Sequence, residues 1–462
     1  MENMDLDSRR EALFALLEKK QVKSLQLALE EMNEFDIAEF LTELGEDDSK
    51  RMAAVFRLLS KERGAEVFSE LDAPEQEWII NSISDAELGA IVEDMYVDDA
   101  VDMMEELPAN VVKRVMRTAT PATRTLINQY LKYPENSAGS IMTAEFVDLK
   151  KYMNVRESIA RIRSIGEDKE TIYVCYVTGN DRKLEGVVTV KELLLSSDEA
   201  VIEDIMDANV IFCSTTDDQE EVAARISDYD LLALPVVDKE GRLVGIVTVD
   251  DVIDVLEAEA TEDIEKMAAI TPSDKPYLKL SVAEIWKSRI PWLLLLMISA
   301  TFTGMIINSF ESALAAQVAL VGFIPMLMDT GGNSGSQSSV TIIRGLSLGD
   351  IQFPDIFRVI WKELRVSLLC GVSLAAVNFV KILLVDRLLM GNTEITIAVD
   401  LVVCLTLVVT VFIAKLVGCT LPMVAQKVGF DPAVMASPFI TTIVDAISLL
   451  VYFTISMSIL PI

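Results

Sequence analysis

The sequence predicts a multidomain membrane protein with four parts: an all-α acidic N-terminal domain, a duplicated α/β unit, a connecting helix and a transmembrane domain of five helices. Charge is the first reason. Of 462 residues, 72 are acidic and 40 are basic, yet residues 285–462 carry ten of each, so the formal charge of −32 lies entirely in residues 1–284. The second reason is that the neutral part contains apolar runs of the roughly 20 residues that cross a bilayer. The third is an internal repeat within residues 133–255.

Composition excludes several classes of function. An acidic chain without a basic face does not attract nucleic acid, so we expect cations as partners and no nucleic acid. Histidine is absent and the five cysteines show no C-x-x-C spacing, which removes zinc clusters and histidine-based catalysis. The chain also lacks a G-x-x-x-x-G-K-[ST] phosphate loop and a nucleophile–base pair. We therefore expect a protein that is not an enzyme.

Residues 1–132 form the predicted N-terminal domain. Apolar residues recur here at the three and four spacing of helices, and acidic residues fill the other faces. Three similar phrases, at 38–44, 65–71 and 100–107, follow one another at irregular intervals of about 30 residues, which is typical of stacked helices. Its carboxylates either bind cations or form a solvated face, and the candidates are Glu66, Asp98 and Asp102. The N-terminus lacks an apolar signal-peptide core, so we expect this domain in the cytoplasm.

Residues 133–200 and 201–255 are two copies of one α/β unit. Leu184–Leu193 recurs 59 residues later as Leu243–Val252, and each is an apolar strand that leads into a helix. The Ile141-Met-Thr phrase likewise matches Ile205-Met-Asp. The pair resembles two CBS domains, a cytosolic regulatory module that commonly pairs into flat dimers. The resemblance implies ATP or another adenine nucleotide as a candidate ligand in a cleft of the pair.

A connecting segment, residues 249–284, joins this pair to the membrane part. Its first portion predicts a helix over Val249–Ala269, with one apolar face and carboxylates on the rest. The carboxylates are those of Asp250, Asp251, Asp254, Glu257, Glu259, Glu262, Asp263 and Glu265. Like charges at this spacing repel one another, and cations that bridge them to other acidic surfaces would reduce that repulsion. The alternative is a charged spacer helix that binds no cation. Thr271–Pro276 then ends the helix.

Five spans are predicted in the transmembrane domain, residues 285–462: 290–310, 313–343, 355–385, 396–427 and 431–460. Basic residues precede the first span and connect the second to the third, whereas the loop near Glu311 has none. By the positive-inside rule, the acidic domains face the cytoplasm and the C-terminus lies outside. We expect a multi-pass protein of the cell membrane, embedded in the lipid bilayer.

The last span contains a carboxylate. Asp445 is the single formal charge in the thirty-one residues after Asp431, and an ionisable group inside a span requires a partner, water or an ion. Thr441 and Thr442 lie one turn before it, so oxygen atoms lie beside it, as a hard cation prefers. The alternative is a protonated aspartic acid hydrogen-bonded between helices.

The second span is unusually polar. Pro325–Gln337 contains several glycines, which predict a loosened helix whose carbonyl groups lie near a cavity. Asp329, Asn333 and Gln337 recur every four residues, so one face of this helix is polar. The alternative interpretation of the glycines is close helix packing through small residues.

Together these features resemble the MgtE family of magnesium transporters and channels. The resemblance is carried by Val244–Val252, Leu256–Asp263, Thr330-Gly-Gly-Asn333 and the segment from Asp431-Pro-Ala to Asp445. It covers essentially the whole chain, in the family's order. It implies a homodimer with its pore on the twofold axis, and cytosolic Mg²⁺ as the signal that closes the pore.

The resemblance also implies roles for particular residues. Asp445 matches the pore carboxylate that holds a hydrated Mg²⁺, and Asp431 matches a ligand near the inner pore mouth and the connecting, or plug, helix. Further pore candidates are Asn333, Thr441 and Asp329. Regulatory Mg²⁺ ligands are implied in the N-domain, the second CBS domain and the plug helix: Glu66, Asp98, Asp102, Asp218, Glu220, Asp230, Asp251, Asp254, Glu259, Glu262 and Asp263. The chain departs from some members at Ser336, where they carry a second asparagine.

These expectations combine into one function, a Mg²⁺-selective channel or transporter that serves magnesium homeostasis. It would import Mg²⁺ down its electrochemical gradient and close when Mg²⁺ binds the cytosolic acids. Mg²⁺ gives up water reluctantly, so a pore with few charges and several carbonyl groups suits it better than a dense carboxylate cage. Two other classes stay open. One is a nucleotide-regulated secondary transporter of another cation or of protons, and the other is a membrane-anchored cation sensor that transports nothing.

Overall fold

The computed structural model describes residues 6–273, 275, 277–391, 395–435 and 437–460. By its internal contacts the chain divides into two compact units, Met1–Val255 and Leu256–Ile462. The first unit contains the N-terminal domain, the duplicated α/β unit and the first turns of the connecting helix. The second contains the rest of that helix and the transmembrane domain. The division therefore falls close to the change in charge that the sequence shows.

Short helices make up the N-terminal domain. They are Leu6–Glu18 (α1), Val22–Glu30 (α2), Glu34–Asp47 (α3), Ser49–Phe56 (α4), Lys61–Ser69 (α5), Ala73–Ser82 (α6), Asp85–Asp94 (α7), Val97–Glu106 (α8), Ala109–Thr118 (α9) and Pro121–Tyr130 (α10). Several begin at a polar cap, because the first N–H groups of a helix need acceptors: the side chains of Asn33, Ser60 and Ser84 each accept one. The predicted stacked array is confirmed, since α3, α5, α7 and α9 pack in succession, as do α4 with α6 and α8 with α10.

Arginines join successive layers of this array. Arg63 pairs with Glu34 at 2.7 Å, and Arg114 pairs with Asp85 at 2.9 Å. In both pairs the partners are 29 residues apart, and both guanidinium groups also donate to backbone carbonyl groups at the ends of preceding helices. Those carbonyl groups have no partner within their own helix. The interval of about 30 residues in the sequence thus corresponds to one layer of the array.

The duplicated unit folds as two three-stranded sheets, ordered β1-β2-β3 and β4-β5-β6. The first copy comprises Val147–Leu149 (β1), Val155–Ile165 (α11), Val174–Thr178 (β2), Leu184–Thr189 (β3) and Val190–Leu195 (α12). The second comprises Ile202–Ile205 (α13), Cys213–Ser214 (β4), Gln219–Asp228 (α14), Ala233–Val237 (β5) and Leu243–Thr248 (β6). In each sheet the first pair of strands is parallel and the second is antiparallel. The two copies therefore share one topology, as the internal repeat predicts.

The two copies are interlocked at their entry segments. Thr143, before β1 of the first copy, bridges to Ile246 in β6 of the second, and Asp207, before β4 of the second, bridges to Val187 in β3 of the first. Each sheet is thus extended by backbone that belongs to the other copy, which pairs hydrogen-bonding groups at a sheet edge. Tyr176, which is fully buried, packs with apolar residues of both copies.

The connecting helix, α15, spans Val249–Met267. It follows β6 directly, and at its start the Asp251 carboxylate accepts hydrogen bonds from the hydroxyl and the backbone N–H of Thr248, at 2.5 and 3.2 Å. The predicted end at Ala269 is two residues too late. Ala269 adopts a left-handed backbone conformation, with φ of +55°, which a continuing right-handed helix cannot contain.

The transmembrane unit contains Val282–Ser309 (α16), Glu311–Ala316 (α17), Ile324–Ser347 (α18), Ile356–Lys381 (α19), Ile397–Val428 (α20) and Ser437–Ile459 (α21). Among the described residues, four stretches are long and apolar enough to cross a membrane: Val282–Ser309, Phe353–Leu389, Ile397–Val428 and Pro432–Ile459. They correspond to the first, third, fourth and fifth predicted spans. Helix α18, at the position of the second, has 24 residues, or a length of about 36 Å, but it is polar and falls outside this set. The count of five spans stays a prediction, with α18 as the candidate for the remaining span.

Helix α18 packs between α20 and α21. Its glycines face these helices: a Cβ atom at Gly335 would lie 2.7 Å from Ile440 Cγ2, and one at Gly418 of α20 would overlap the carbonyl oxygen of Gly335. The prediction of a loosened helix is wrong, because α18 is continuous and Pro325 lies in its first turn, where the missing N–H is not needed. The glycines instead permit close helix packing, the alternative interpretation of the sequence.

Candidate ion path and acidic clusters

One face of α18 is polar and exposed within its unit. Asp329, Asn333 and Gln337 lie on it at four-residue intervals, and all three side chains are exposed; we call these residues the α18 stripe. The other faces include buried glycine and serine residues that pack against α20 and α21. A polar stripe on a helix of an apolar bundle needs water, an ion or another protein surface beside it. The α18 stripe is therefore a surface along which a cation could pass.

Asp445 lies on α21, next to the same helix. Its side chain is half-buried, and among the described residues its Oδ1 atom is inaccessible to solvent and has no hydrogen-bond partner. Asp329 is close enough for the two carboxylates to repel each other. Two carboxylates that repel each other, one of them with an unsatisfied oxygen, favour a cation between or beside them.

The two threonines before Asp445 are used differently. Thr442 donates its hydroxyl to the carbonyl of Pro438, in its own helix, at 3.0 Å. Thr441 points at α18: a Cβ atom at Gly332 would lie 2.8 Å from the Thr441 Cγ2 atom. The pair of helices α18 and α21 thus carries all the predicted pore residues, and the small size of Gly332 sets how closely they approach.

Asp431, just before α21, is held by a lysine of the connecting helix. Its Oδ2 atom lies 2.6 Å from the ammonium of Lys266, which also lies 2.5 Å from Glu262. Burial opposes ionisation of Lys266, but its bonds to these two carboxylates raise its pKa. Asp263 accepts a hydrogen bond from the Ser347 hydroxyl at 3.3 Å, and burial together with repulsion from Asp431 raises the pKa of Asp263. The structure thus brings three predicted ligands together and places a lysine beside them.

A second concentration of carboxylates lies in the first unit. Asp98 and Asp99 of α8, Asp251 of α15 and Glu170 of the loop before β2 are close enough to repel one another. Burial, and then this repulsion, raises the pKa of Asp98 to about 9, of Asp99 to about 6 and of Glu170 to about 7. Desolvation and repulsion also raise the pKa of Asp102 to about 7. We call these five residues the α8–α15 acidic cluster. A cation bound here would replace protons, because the ionised carboxylates disfavour one another.

Other predicted ligands lie apart from these groups. Glu66 is exposed on α5. Asp218 caps the start of α14 and Glu220 lies in its first turn, whereas Asp230 follows the end of that helix. The ends of a ten-residue helix are about 15 Å apart. The three acids of the second CBS copy therefore cannot share one ion within a single chain.

Two further predicted acids follow Asp251 along α15. Asp254 is exposed and repels Glu70, and Glu259 is half-buried. Within the described ranges, no group of three acidic or cysteine side chains is already arranged to hold a metal ion. The predicted ligands are therefore gathered into clusters without being preorganised around a metal.

Sequence reasoning missed three of the residues in these clusters. Asp99 stands next to the candidate Asp98, so the run of acids in α8 was the available signal. Lys266 stands four residues after Glu262, which is the spacing of an ion pair on a helix. Glu170 lies in a loop with no local signal, because only the fold brings it beside α8 and α15.

A cavity of about 530 Å³ lies in the duplicated unit. Its apolar lining includes the ring of Phe146. Its charged lining comprises two acids, Asp148 and Asp168, and three bases, Arg161, which bonds to Asp148, Lys169 and Arg182. A flat apolar group next to several cations is a surface that accommodates an aromatic base and phosphates. The residues present therefore fit an adenine nucleotide.

Comparison with protein families and curated proteins is consistent along the chain. The protein-family model described as divalent cation transporter matches residues 324–455. The family models of the MgtE intracellular N domain and of the CBS domain match residues 32–136 and 202–258. The chain is 37% identical over 453 residues to the magnesium transporter MgtE of Thermus thermophilus, a match that covers 95% of this chain and 98% of that protein. The chain belongs to the MgtE family of magnesium transporters.

Further MgtE relatives agree. The magnesium transporter MgtE of Bacillus subtilis is 32% identical over 460 residues, covering 99% of this chain and 98% of that one. The crystal structure of the soluble part of a magnesium transporter superposes with a TM-score of 0.52 at 29% identity, covering 55% of this chain and all of that one. The crystal structure of the cytosolic domain of the Mg²⁺ channel MgtE in complex with ATP superposes with a TM-score of 0.50 at 35% identity, covering 53% of this chain and 99% of that one.

These matches confirm the predicted family and its arrangement of an acidic helical N-domain, a CBS pair and apolar helices. Because the MgtE relatives are magnesium transporters, the prediction that the chain is not an enzyme is confirmed as well. Family membership together with the apolar helices makes this a multi-pass membrane protein.

Proposed function

We propose that this MgtE protein is a Mg²⁺-selective channel that imports Mg²⁺ down its electrochemical gradient. The observation that carries the proposal is the unsatisfied Oδ1 atom of Asp445 on α21, a helix that packs against α18 and its exposed stripe. Few charges and several neutral oxygen atoms suit hydrated Mg²⁺, which gives up its water reluctantly and must also be released. Asp445 would hold the hydrated ion, with Asp329, Asn333 and Thr441 as further pore groups.

The driving force in this proposal is the membrane potential. An inward potential contributes about 2.3 kcal/mol per charge for each 100 mV, and about twice that for a divalent ion, so transport requires no separate energy source. The proposed orientation has the acidic domains in the cytoplasm and the C-terminus outside, because the basic residues that flank the spans, with Lys381 and Arg387 as exceptions, lie on the side of the acidic domains.

The pore is proposed to lie between two copies of the chain. In one chain the α18 stripe is exposed, so a single chain does not enclose the path. A twofold arrangement that brings two stripes face to face would enclose water and ions and would satisfy both stripes. The homodimer implied by the family resemblance has this symmetry.

Closure by cytosolic Mg²⁺ is proposed to act through the acidic clusters. Without Mg²⁺, the carboxyl groups of the α8–α15 acidic cluster, which come from three segments of the first unit, either repel one another or bind protons. Bound Mg²⁺ would attract these carboxylates and so favour the compact, closed state. The shift in the equilibrium between the open and closed states is set by the difference in Mg²⁺ affinity between those states. At the membrane unit, Asp431, Glu262 and Asp263 would hold the end of the plug helix near the inner mouth. The remaining proposed regulatory ligands are Glu66, Asp218, Glu220, Asp230, Asp254 and Glu259.

An adenine nucleotide is proposed as a ligand of the CBS pair. The support is the ATP complex of a related MgtE cytosolic domain and the fit of the cavity beside Phe146. Lys169 and Arg182 would bind phosphates, and ATP should then raise the thermal unfolding midpoint of the full chain. Arg182→Ala should reduce that shift. Arg163→Ala, an exposed arginine of α11 outside the cavity, is the matched control and should respond like the wild type.

The deciding experiment is Mg²⁺ flux through purified protein with the Mg²⁺ concentration varied on the side of the acidic domains. We expect a Mg²⁺ current that increases with an inward potential and falls as Mg²⁺ on that side reaches the millimolar range of weak carboxylate sites. Asp445→Asn should remove the current, whereas Asp350→Asn, an exposed acid that follows α18, should preserve it. Flux that tracks a pH gradient and ignores Mg²⁺ would support the proton-coupled alternative, and a complete lack of flux would support the sensor.

A further inference from the structure

A buried ionic network joins three helices of the membrane unit. The ammonium of Lys415, on α20, lies 3.8 Å from the carboxylate of Glu363, on α19. Ser338 of α18 links them, because its hydroxyl donates to Glu363 at 2.6 Å and accepts from Lys415 at 3.2 Å. Lys415 is 5% exposed and Ser338 is 2% exposed. The network therefore connects opposite charges through a neutral hydroxyl inside the bundle.

Apolar residues surround this network. Ile342, Val359 and Cys419, one from each of the same three helices and each four residues from a network member, form a cluster one turn away. Next to Lys415, Ala414 packs with Val444 of α21. Lys415 depends on the Glu363 carboxylate and on the serine hydroxyl to compensate its charge, because it is almost fully buried, whereas the Glu363 side chain is 16% exposed.

Packing alone does not require an ionic network at this place. Helices α18 and α20 already touch through Gly335 and Gly418, and α19 approaches the backbone of α20 at Gly371. Apolar side chains of similar volume would fill the same space with less desolvation. Hydrogen bonds to charged groups add direction, because they constrain the angle at which a helix presents its side chains.

That angle matters because Ser338 lies behind the α18 stripe. At 3.6 residues per turn, Ser338 is about 180° from Asp329 and about 140° from Asn333 around the helix axis. A bond that anchors Ser338 therefore sets the direction of the stripe. Ala414, which precedes Lys415 in the chain, packs with Val444 on the helix that carries Asp445.

We propose that Ser338, Glu363 and Lys415 are positioning residues for Mg²⁺ transport, which hold α18 at the rotation that presents Asp329 and Asn333 to the ion path. All three lie away from the α18 stripe and act through it. Their loss should lower the maximal flux, because α18 would spend less time at the rotation in which Asp329 and Asn333 face the ion path. The half-saturating Mg²⁺ concentration, which depends on Asp445, should change little. This inference rests on the proposed ion path.

The sharpest test compares two neighbouring serines in full-length protein. Ser338→Ala removes the hydrogen bond to Glu363, whereas Ser339→Ala removes a hydroxyl that is equally buried and has no partner among the described residues. We expect Ser338→Ala to lower maximal Mg²⁺ flux about tenfold, as loss of a bond to a charged group would, with half-saturation and elution from size exclusion unchanged. Ser339→Ala should match the wild type. Equal flux in the two variants would overturn the proposal.

The charge pair gives a second test. Lys415→Met and Glu363→Gln each leave one partner alone, so each should lower maximal flux more than the double variant Lys415→Met/Glu363→Gln does. A maximal flux in the double variant that exceeds the flux of each single variant supports a positioning network. A flux in the double variant equal to the product of the two single losses would contradict it. Wild-type flux measured beside Asp445→Asn tests the ion path separately, so a failure of the path and a failure of the network give different results.

Discussion

The ammonium of Lys266 lies 2.6 Å from the carboxylate of Asp431, and this contact joins the end of the connecting helix to the segment just before α21. Glu262, one turn earlier on the same helix, shares the ammonium at 2.5 Å. A lysine therefore occupies the position beside these carboxylates that a regulatory cation would also favour. The chain carries its own positive charge at this contact, and any Mg²⁺ that binds here must compete with it or join it.

Removing this lysine should make the contact dependent on Mg²⁺. In Lys266→Met, Asp431, Glu262 and Asp263 repel one another without a nearby cation. We expect the unfolding midpoint without Mg²⁺ to fall by about 2–4 °C, which corresponds to about 1 kcal/mol in a unit of this size. Added Mg²⁺ should restore most of the loss. Lys239→Met, in an exposed turn of the second CBS copy, should show neither effect. A loss that Mg²⁺ does not reverse would mean that the acids around Lys266 do not bind it.

Neutralising acids of the connecting helix should disable closure. In the triple variant Asp251→Asn, Asp254→Asn and Glu259→Gln, fewer carboxylates remain for Mg²⁺ to bridge, so we expect the channel to stay open at high cytosolic Mg²⁺. The measurement is single-channel recording with Mg²⁺ varied on the side of the acidic domains. Glu257→Gln, an exposed acid of the same helix, should close like the wild type. Unchanged closure in the triple variant would identify these acids as solvated charge only.

The α8–α15 acidic cluster should make stability depend on pH. The pKa of Asp98 is raised from 3.8 to about 9 and that of Glu170 from 4.5 to about 7, so the folded state binds more protons than the unfolded chain between those values. The stability that these protons contribute is complete below about pH 4 and is lost as the pH rises towards 9. Without Mg²⁺, the unfolding midpoint should therefore decline across this range.

Mg²⁺ should offset that decline, because it replaces the protons. The shift in midpoint produced by Mg²⁺ should be small at pH 5 and larger at pH 8. Thermal unfolding of the full chain, with and without Mg²⁺ at both pH values, measures this difference. Asp98→Asn should weaken the dependence on both pH and Mg²⁺, whereas Asp94→Asn, an exposed acid at the end of α7, should preserve it. Shifts of equal size at the two pH values would argue against cation binding by the cluster.

Helices α18 and α20 approach too closely for a side chain to be added at Gly418. Gly418→Ala places a Cβ atom against the carbonyl oxygen of Gly335, closer than two such atoms can lie, so one helix must move. Overpacking of this kind costs about 1–3 kcal/mol, and we expect a lower unfolding midpoint together with reduced Mg²⁺ flux. Gly304→Ala on α16, where nothing lies within 4 Å of the new atom, should be neutral or slightly stabilising. A Gly418→Ala variant with normal stability and flux would contradict this packing.

Much of the organisation could be read from local features of the sequence. The separation of charge, the repeat at 59 residues and the apolar runs depend on composition and periodicity, which single segments express without their neighbours. The polar face of α18 was predictable for the same reason, since residues four apart share a helix face. The role of the glycines in that helix was not predictable, because a glycine can either loosen a helix or allow another helix to pack closely, depending on what lies against it.

Tertiary structure decided which charges meet. Lys266 pairs with Asp431, Lys415 lies near Glu363, and Glu170 is repelled by Asp251, although the partners are between 52 and 165 residues apart in the chain. By itself, the sequence determined the parts of this MgtE protein, their order and the carboxylates available to bind Mg²⁺. Only the folded chain determined the partners of those carboxylates, because burial and charge repulsion depend on distances in space rather than on distances along the chain.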